Sequence, residues 1–173
     1  MYCTALAVFA VIVIATVTVQ ASPTSFNLSA ITAINNTSVI QCWQLTEPLV
    51  TSSVPGIVGA AAQQLGSLAN ASYGFLPAHF VGTPHPAPAV QYVVFLSGQT
   101  QITIPNSTQQ AIFKGGTNGI IIAADTADKS AFGHVSTTLN GSVAALQIPT
   151  RKGKIPCKRV LYNGACKASE LNF

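Results

Sequence analysis

From residue 72 onward the chain is interrupted every few residues. Segments 72–76, 91–96, 100–104, 111–113, 119–124, 134–138 and 142–148 are each short and rich in Val, Ile, Phe, Tyr and Thr, and Gly, Pro or Asn turns separate them. Breakers at that density leave no room for a helix of ordinary length. Many short strands without intervening helices predict an all-β sandwich or barrel rather than a parallel α/β sheet. Neither a 20–50-residue repeat nor a heptad is present. The chain has 173 residues, 49% of them apolar and only 7% charged. That is enough for one hydrophobic core and excludes a disordered, highly charged chain. Solubility then falls to Ser, Thr, Asn, Gln and attached sugar.

Upstream of residue 72 the pattern is weaker. Residues 22–37 are polar and turn-rich and are expected to form an exposed lead-in, and 38–45 read as a strand. Residues 51–69 stay ambiguous. Ala60-Ala61-Ala62-Gln63-Gln64-Leu65 has helical propensity, but Gly56, Gly59 and Gly66 bracket it, so either a short strand or one helical turn fits.

Residues 4–19 form one apolar run that ends at Val19-Gln20-Ala21 before Ser22-Pro23. This fits a secretory leader cleaved after Ala21, residues 1–21; the alternative is an uncleaved anchor, for which the run is short and lacks flanking Lys or Arg. The expectation is a secreted, extracellular protein with no membrane segment after cleavage. Acceptor sequons begin at Asn27, Asn35, Asn36, Asn70, Asn106 and Asn140. A glycan must face solvent, so these positions are expected at exposed turns or strand ends. Asn106 and Asn140 also read as ordinary turn asparagines. Once the leader is removed, Cys42, Cys157 and Cys166 remain. In an oxidising compartment two of them pair. Cys157–Cys166 would close a short loop around Tyr162-Asn163-Gly164 and is slightly favoured; Cys42 to either partner would close a long one.

Arg151, Lys152, Lys154, Lys158, Arg159 and Lys167 supply six of the eight basic residues, so 151–173 reads as a basic tail. Such a run is either a solvated tail or a patch for an acidic glycan or host surface. Nucleic acid is an unsuitable partner, because export removes it and no recognition module is evident.

The segment Gly82-Thr83-Pro84-His85-Pro86-Ala87-Pro88-Ala89-Val90-Gln91 through Gly98 resembles the first motif of the cupin superfamily. His85 stands at the first His position, and Gln91 and Gly98 keep the Glu-x6-Gly spacing. Ala87 replaces the second His, and Gln91 replaces the Glu. Gly119 through His134, with Ala124-Asp125-Thr126 and Gly133-His134, looks like the second motif, which contributes one more His; it is longer than the pattern and lacks its Pro-x-Gly. The likeness covers roughly residues 75–150. The whole chain, with its leader, its Ser52–Gly56 stretch and its closing Gly164-Ala165-Cys166, also looks like a group of small secreted fungal proteins. The resemblance implies a single-domain cupin-type jelly-roll (double-stranded β-helix) barrel over 38–150, with His85, Gln91 and His134 turned into it.

A cupin of this kind holds one divalent metal by imidazoles and a carboxylate. Here two imidazoles and a neutral amide replace that set, which implies either a weakly held divalent ion or side chains that hydrogen-bond one another or a ligand. Tyr92 and Phe132 are expected as walls of the same site. His79 matches no motif position and is expected at the mouth or in solvent. Asp125 and Asp128 are expected to serve an Asp-Thr-Ala-Asp turn. The favoured reading is a non-enzymatic protein binding a small polar molecule or carbohydrate. The rivals are a metal-dependent oxidase, isomerase or lyase using His85, Gln91 and His134, and a cell-wall or host-surface protein acting through the basic tail. Cupin-like proteins often dimerise through sheet faces, so a homodimer is the assembly implied.

Overall fold

A computed structural model describes residues 25–171. The expected leader, residues 1–21, lies outside the described residues. The protein is all-β, as the turn density predicted. Among the described residues, ten strands form in chain order: β1 (Phe26–Ile34), β2 (Thr37–Leu45), β3 (Val50–Thr51), β4 (Ala61–Ala62), β5 (Ser72–Leu76), β6 (Gln91–Thr103), β7 (Gln110–Lys114), β8 (Ile120–Ala123), β9 (Val135–Pro149) and β10 (Lys158–Asn163). The main sheet runs β10-β2-β1-β8-β6-β9-β5, with β7 pairing the far half of β6. Every pairing is antiparallel except β1 with β8. Its terminal strands β10 and β5 do not pair, so the sheet is not closed and the expectation of a closed barrel is corrected.

Two pairs of expected strands fuse. Segments 91–96 and 100–104 become β6, and 134–138 and 142–148 become β9. These two long strands pair along almost their whole length, with register shifts at Phe95/Ser97 and Ser97/Gln99. Extra residues at such a shift bend and twist a ladder. Gly98 sits at the bend with φ +75°, where a Cβ would lie 2.2 Å from the Ser142 carbonyl oxygen, so only glycine fits. The bend brings Val93 on one side and Ile102 on the other to line a single cavity.

The first strand overturns one expectation. Residues 26–34, expected within an exposed lead-in, form β1 in the middle of the sheet, with Leu28, Ala30 and Ile31 buried. Alternate residues of β1 and β8 feed two cores. Leu28 and Ile122 join Trp43 and Tyr92 on one face, while Ile31 and Ile121 join Phe95, Ile102 and Val143 on the other. β8, Ile-Ile-Ile-Ala, reads as continuously apolar, as a strand buried on both faces does, whereas β1 carries Asn27, Ser29 and Thr32 and does not show that pattern. Segment 51–69 takes the strand option, as a two-residue ladder between β3 and β4. Leu49 and Leu65 from this excursion pack on the Trp43 core, and Tyr92 donates its hydroxyl proton to the Leu65 carbonyl at 3.2 Å.

The disulfide joins Cys42 to Cys166, with Cα atoms 4.6 Å apart, and the expected Cys157–Cys166 pairing is corrected. Residues 158–163 are not a loop but strand β10, laid antiparallel on β2. An extended strand of that length holds its two ends about 20 Å apart. Cys157 therefore lies near Leu45, where Thr46 N–H donates to its carbonyl at 3.0 Å, while Cys166 turns back beside Cys42. Cys157 is an exposed free thiol. The basic segment is thus no loose tail: Lys158 lies 4.3 Å from the Trp43 ring centre, and Arg159 donates to Gln44.

Cys42–Cys166 closes a loop of 124 residues. By loop-closure entropy its loss should cost about 5 kcal/mol. Cys166→Ser is expected to lower the urea midpoint accordingly under non-reducing conditions, and Cys157→Ser to leave it unchanged. A second prediction concerns alkaline pH. Burial pushes the Tyr92 phenol up to about 12. Because the folded state favours the neutral ring, this stabilisation is complete below about pH 10 and lost as pH rises towards about 12. Urea titrations across that window should show stability falling in the wild type and less steeply in Tyr92→Phe.

Candidate functional site

Residues 82–88 run Gly-Thr-Pro-His-Pro-Ala-Pro. Prolines at 84, 86 and 88 hold the backbone extended but have no N–H, so only alternate residues can donate to a ladder. Those that do are His85, whose N–H donates to the His134 carbonyl at 3.0 Å, and Ala87, whose N–H donates to the Asp125 carbonyl at 3.2 Å. His134 N–H returns a bond to the His85 carbonyl, also at 3.0 Å. The two histidines therefore stand opposite each other as an isolated antiparallel bridge, with ring centroids 4.9 Å apart and a 47° tilt between planes. Gly133 makes this approach feasible. Its φ is +66°, and a Cβ there would lie 2.0 Å from the His85 carbonyl carbon.

His85, Gln91 and His134 line one cavity of about 130 Å³ between the bent halves of the sheet. His85 is exposed at its rim, while Gln91 and His134 are buried. The walls are chiefly apolar: Ile31, Val93, Phe95, Ile102, Ile121 and Val143. Tyr92 and Phe132, expected as walls, do not line it, and that expectation is corrected. Tyr92 follows Gln91 in a strand, so its side chain points to the opposite face, into the Trp43 core. Phe132 sits on the β8–β9 loop and is 59% exposed. His79 is exposed, with a left-handed φ of +62°.

Asp125 is where the sequence reading fell furthest short. Asp128 does serve the turn, accepting from the Thr126 hydroxyl at 2.5 Å. That bond and the adjacent Lys129 hold its carboxyl below the usual carboxylate range. Asp125, by contrast, is fully buried and reaches the site. Its Oδ2 accepts from the Ser38 hydroxyl at 2.7 Å and from His134 Nδ1 at 2.8 Å. With the Ser38 proton so used, Ser130 Oγ donates to Ser38 Oγ at 2.7 Å and accepts from Gly133 N–H at 3.0 Å. Four polar groups thus form one chain whose bonds converge on Asp125, from Ser130 through Ser38 on one side and from His134 on the other, and bonds in such a chain polarise one another. Among the described residues, Asp125 Oδ1 has no hydrogen-bond partner. The only hint in the sequence was that Asp125 lies nine residues before His134, across a turn.

A divalent ion does not fit this donor set. Asp125, the one buried carboxylate, lies behind His134 and is committed to Nδ1 and Ser38. The inward-facing donors are two imidazoles and an amide, which bring no negative charge to offset dehydration of the ion. Among the described residues, no group of three His, Cys, Asp or Glu side chains is placed to hold a metal.

Of the sequon asparagines, Asn35, Asn36, Asn70, Asn106 and Asn140 are exposed. Asn27 is not presented to solvent in the same way: its amide donates to the Glu170 carbonyl and accepts from Gln44. Among the described residues, no helix is long and apolar enough to cross a membrane. No family model, curated protein or solved structure matches the chain.

Removing the Asp125 carboxylate strands two buried donors. Asp125→Ala is expected to destabilise the fold by about 3 kcal/mol, measured by urea unfolding. Lys129→Ala, on the same loop but with an exposed surface ion pair, should change stability by less than about 1 kcal/mol.

Proposed function

We propose that the protein is a secreted, non-enzymatic binding protein that holds a small molecule in the cavity beneath His85 and His134. The observation that carries this reading is the meeting of those two imidazoles with the Gln91 amide on one mostly apolar cavity of about 130 Å³, whose other polar lining is Thr100, Ser136 and Gln147. Pockets that bind small molecules combine mostly apolar walls with a few convergent polar groups, and this cavity has that make-up. An engineered apolar cavity of about 150 Å³ is large enough to take benzene. The occupant is therefore of that size, with an apolar body and one polar end. A carbohydrate, hydroxylated around its whole ring, would leave most of those groups unpaired against Ile31, Val93 and Val143.

We read the architecture as a cupin-like jelly roll left open between β10 and β5. In support, the residues that meet at the cavity are those matching the two cupin-like motifs, His85 and Gln91 from the first and His134 from the second. The Cys42–Cys166 disulfide supports export, because such bonds persist in oxidising compartments. The five exposed sequon asparagines are open to glycosylation there.

The test is occupancy of the cavity itself. Ala145 lines it from β9, and Ala145→Leu fills part of the space at an overpacking cost of about 1–3 kcal/mol. Single-ring compounds at millimolar concentration are expected to raise the melting temperature of the wild type and not of Ala145→Leu. An equal response from both proteins would place binding elsewhere and remove this reading.

A further inference from the structure

We infer that the cavity takes a neutral hydroxyl compound of about benzene size, a phenol or a cyclic alcohol, whose O–H donates to an imidazole Nε2. The inference rests on the reading of the cavity as a ligand site and adds the chemistry of the polar end.

The protons on the two histidines are placed by their partners. His85 Nδ1 lies 2.9 Å from the Thr83 carbonyl oxygen, which can only accept, so Nδ1 carries the hydrogen. His134 Nδ1 lies 2.8 Å from Asp125 Oδ2, a carboxylate oxygen that also only accepts, so Nδ1 carries the hydrogen there too. A neutral imidazole has one N–H, and the bond made by one nitrogen decides the role of the other. In both rings Nε2 is therefore left as a lone-pair acceptor, and among the described residues neither Nε2 has a hydrogen-bond partner. Both rings line the same cavity with centroids 4.9 Å apart, close enough for one small molecule to meet either of them.

Two neighbouring acceptors select against oxygen that carries lone pairs and no hydrogen. An ether or a ketone meets them lone pair to lone pair and would leave them desolvated and unpaired. A carboxylate adds charge repulsion from Asp125, buried behind His134 with one oxygen already unpartnered. A hydroxyl supplies the missing hydrogen. Its own lone pairs can accept from the Gln91 amide, which lines the same cavity and has no partner among the described residues. The apolar walls accommodate a ring and the volume limits it to one.

The test compares phenol with anisole, cyclohexanone and benzoate on the full-length protein at pH 8, by calorimetry or ligand-observed NMR. Phenol is expected to bind at least tenfold more tightly than anisole, which keeps the ring and loses only the O–H donor. His85→Leu leaves the Asp125–His134 pair intact and should weaken phenol while leaving anisole unchanged. Nitrogen NMR of the wild-type histidine side chains should show Nδ1 protonated and Nε2 bare in both rings, and phenol should shift the Nε2 signals. Anisole or cyclohexanone binding as tightly as phenol, or an Nε2 found protonated in both rings, would overturn the inference while leaving the cavity a ligand site. Failure of all four compounds to bind would instead remove the underlying reading and the inference with it.

Discussion

The long antiparallel pairing of β6 with β9 is the constraint on which the rest of the molecule depends. It spans Gln91–Thr103 against Val135–Pro149, and its two register shifts bend both strands at the same place. Without those shifts, Val93 and Ile102, an odd number of positions apart, would point to opposite faces of a flat ladder instead of lining one cavity. Gly98 is the covalent condition for the bend, because the Ser142 carbonyl occupies the space a side chain would need. β8 and β7 then share the β6 edge, β8 along its near half and β7 along its far half. β1 is drawn in beside β8 as the single parallel neighbour.

Upon that frame the site is assembled from three distant parts of the chain. The proline-spaced segment brings His85, the start of β9 brings His134, and the β1–β2 hairpin brings Ser38 under Asp125. The loop between β8 and β9 is anchored to that hairpin by a backbone bond from Ala131 N–H to the Asn36 carbonyl. Polar groups this deeply buried stay compatible with folding only when each has a partner. The run from Gly133 through Ser130, Ser38 and Asp125 to His134 meets that condition except at Asp125 Oδ1. Its chemical effect is on the proton of His134, which it holds at Nδ1, on the side away from the cavity.

The C-terminal region is organised by similar economy of contact. β10 covers the outer edge of β2, and Lys158 lies over Trp43 there. Beyond it, Cys166 returns to Cys42, and its N–H donates to Ser29 Oγ on β1 at 2.9 Å. Glu170 accepts from the Tyr162 hydroxyl and from Lys167 N–H, and these bonds hold its carboxyl below the ordinary range. A stretch carrying most of the chain's positive charge is in this way tied to the sheet by a disulfide, side-chain hydrogen bonds and aromatic contacts.

Composition and local pattern by themselves determined that the protein is all-β and roughly where most strands lie, while the resemblance to the cupin motifs is what singled out His85, Gln91 and His134. Those features are local: turn residues, β-formers and short motifs act within a few positions of one another. The buried place of β1, the Cys42–Cys166 pairing, the role of Asp125 and the exclusion of Tyr92 and Phe132 were decided only by tertiary structure. Each depends on which strands become neighbours and on which face of the sheet a side chain lands. A polar-looking lead-in becomes central once β8 pairs with it, and an apparent turn aspartate becomes part of the site once Ser38, eighty-seven positions away, is brought beneath it. Such pairings arise from burial and hydrogen bonding between segments distant along the chain, and no local pattern records them.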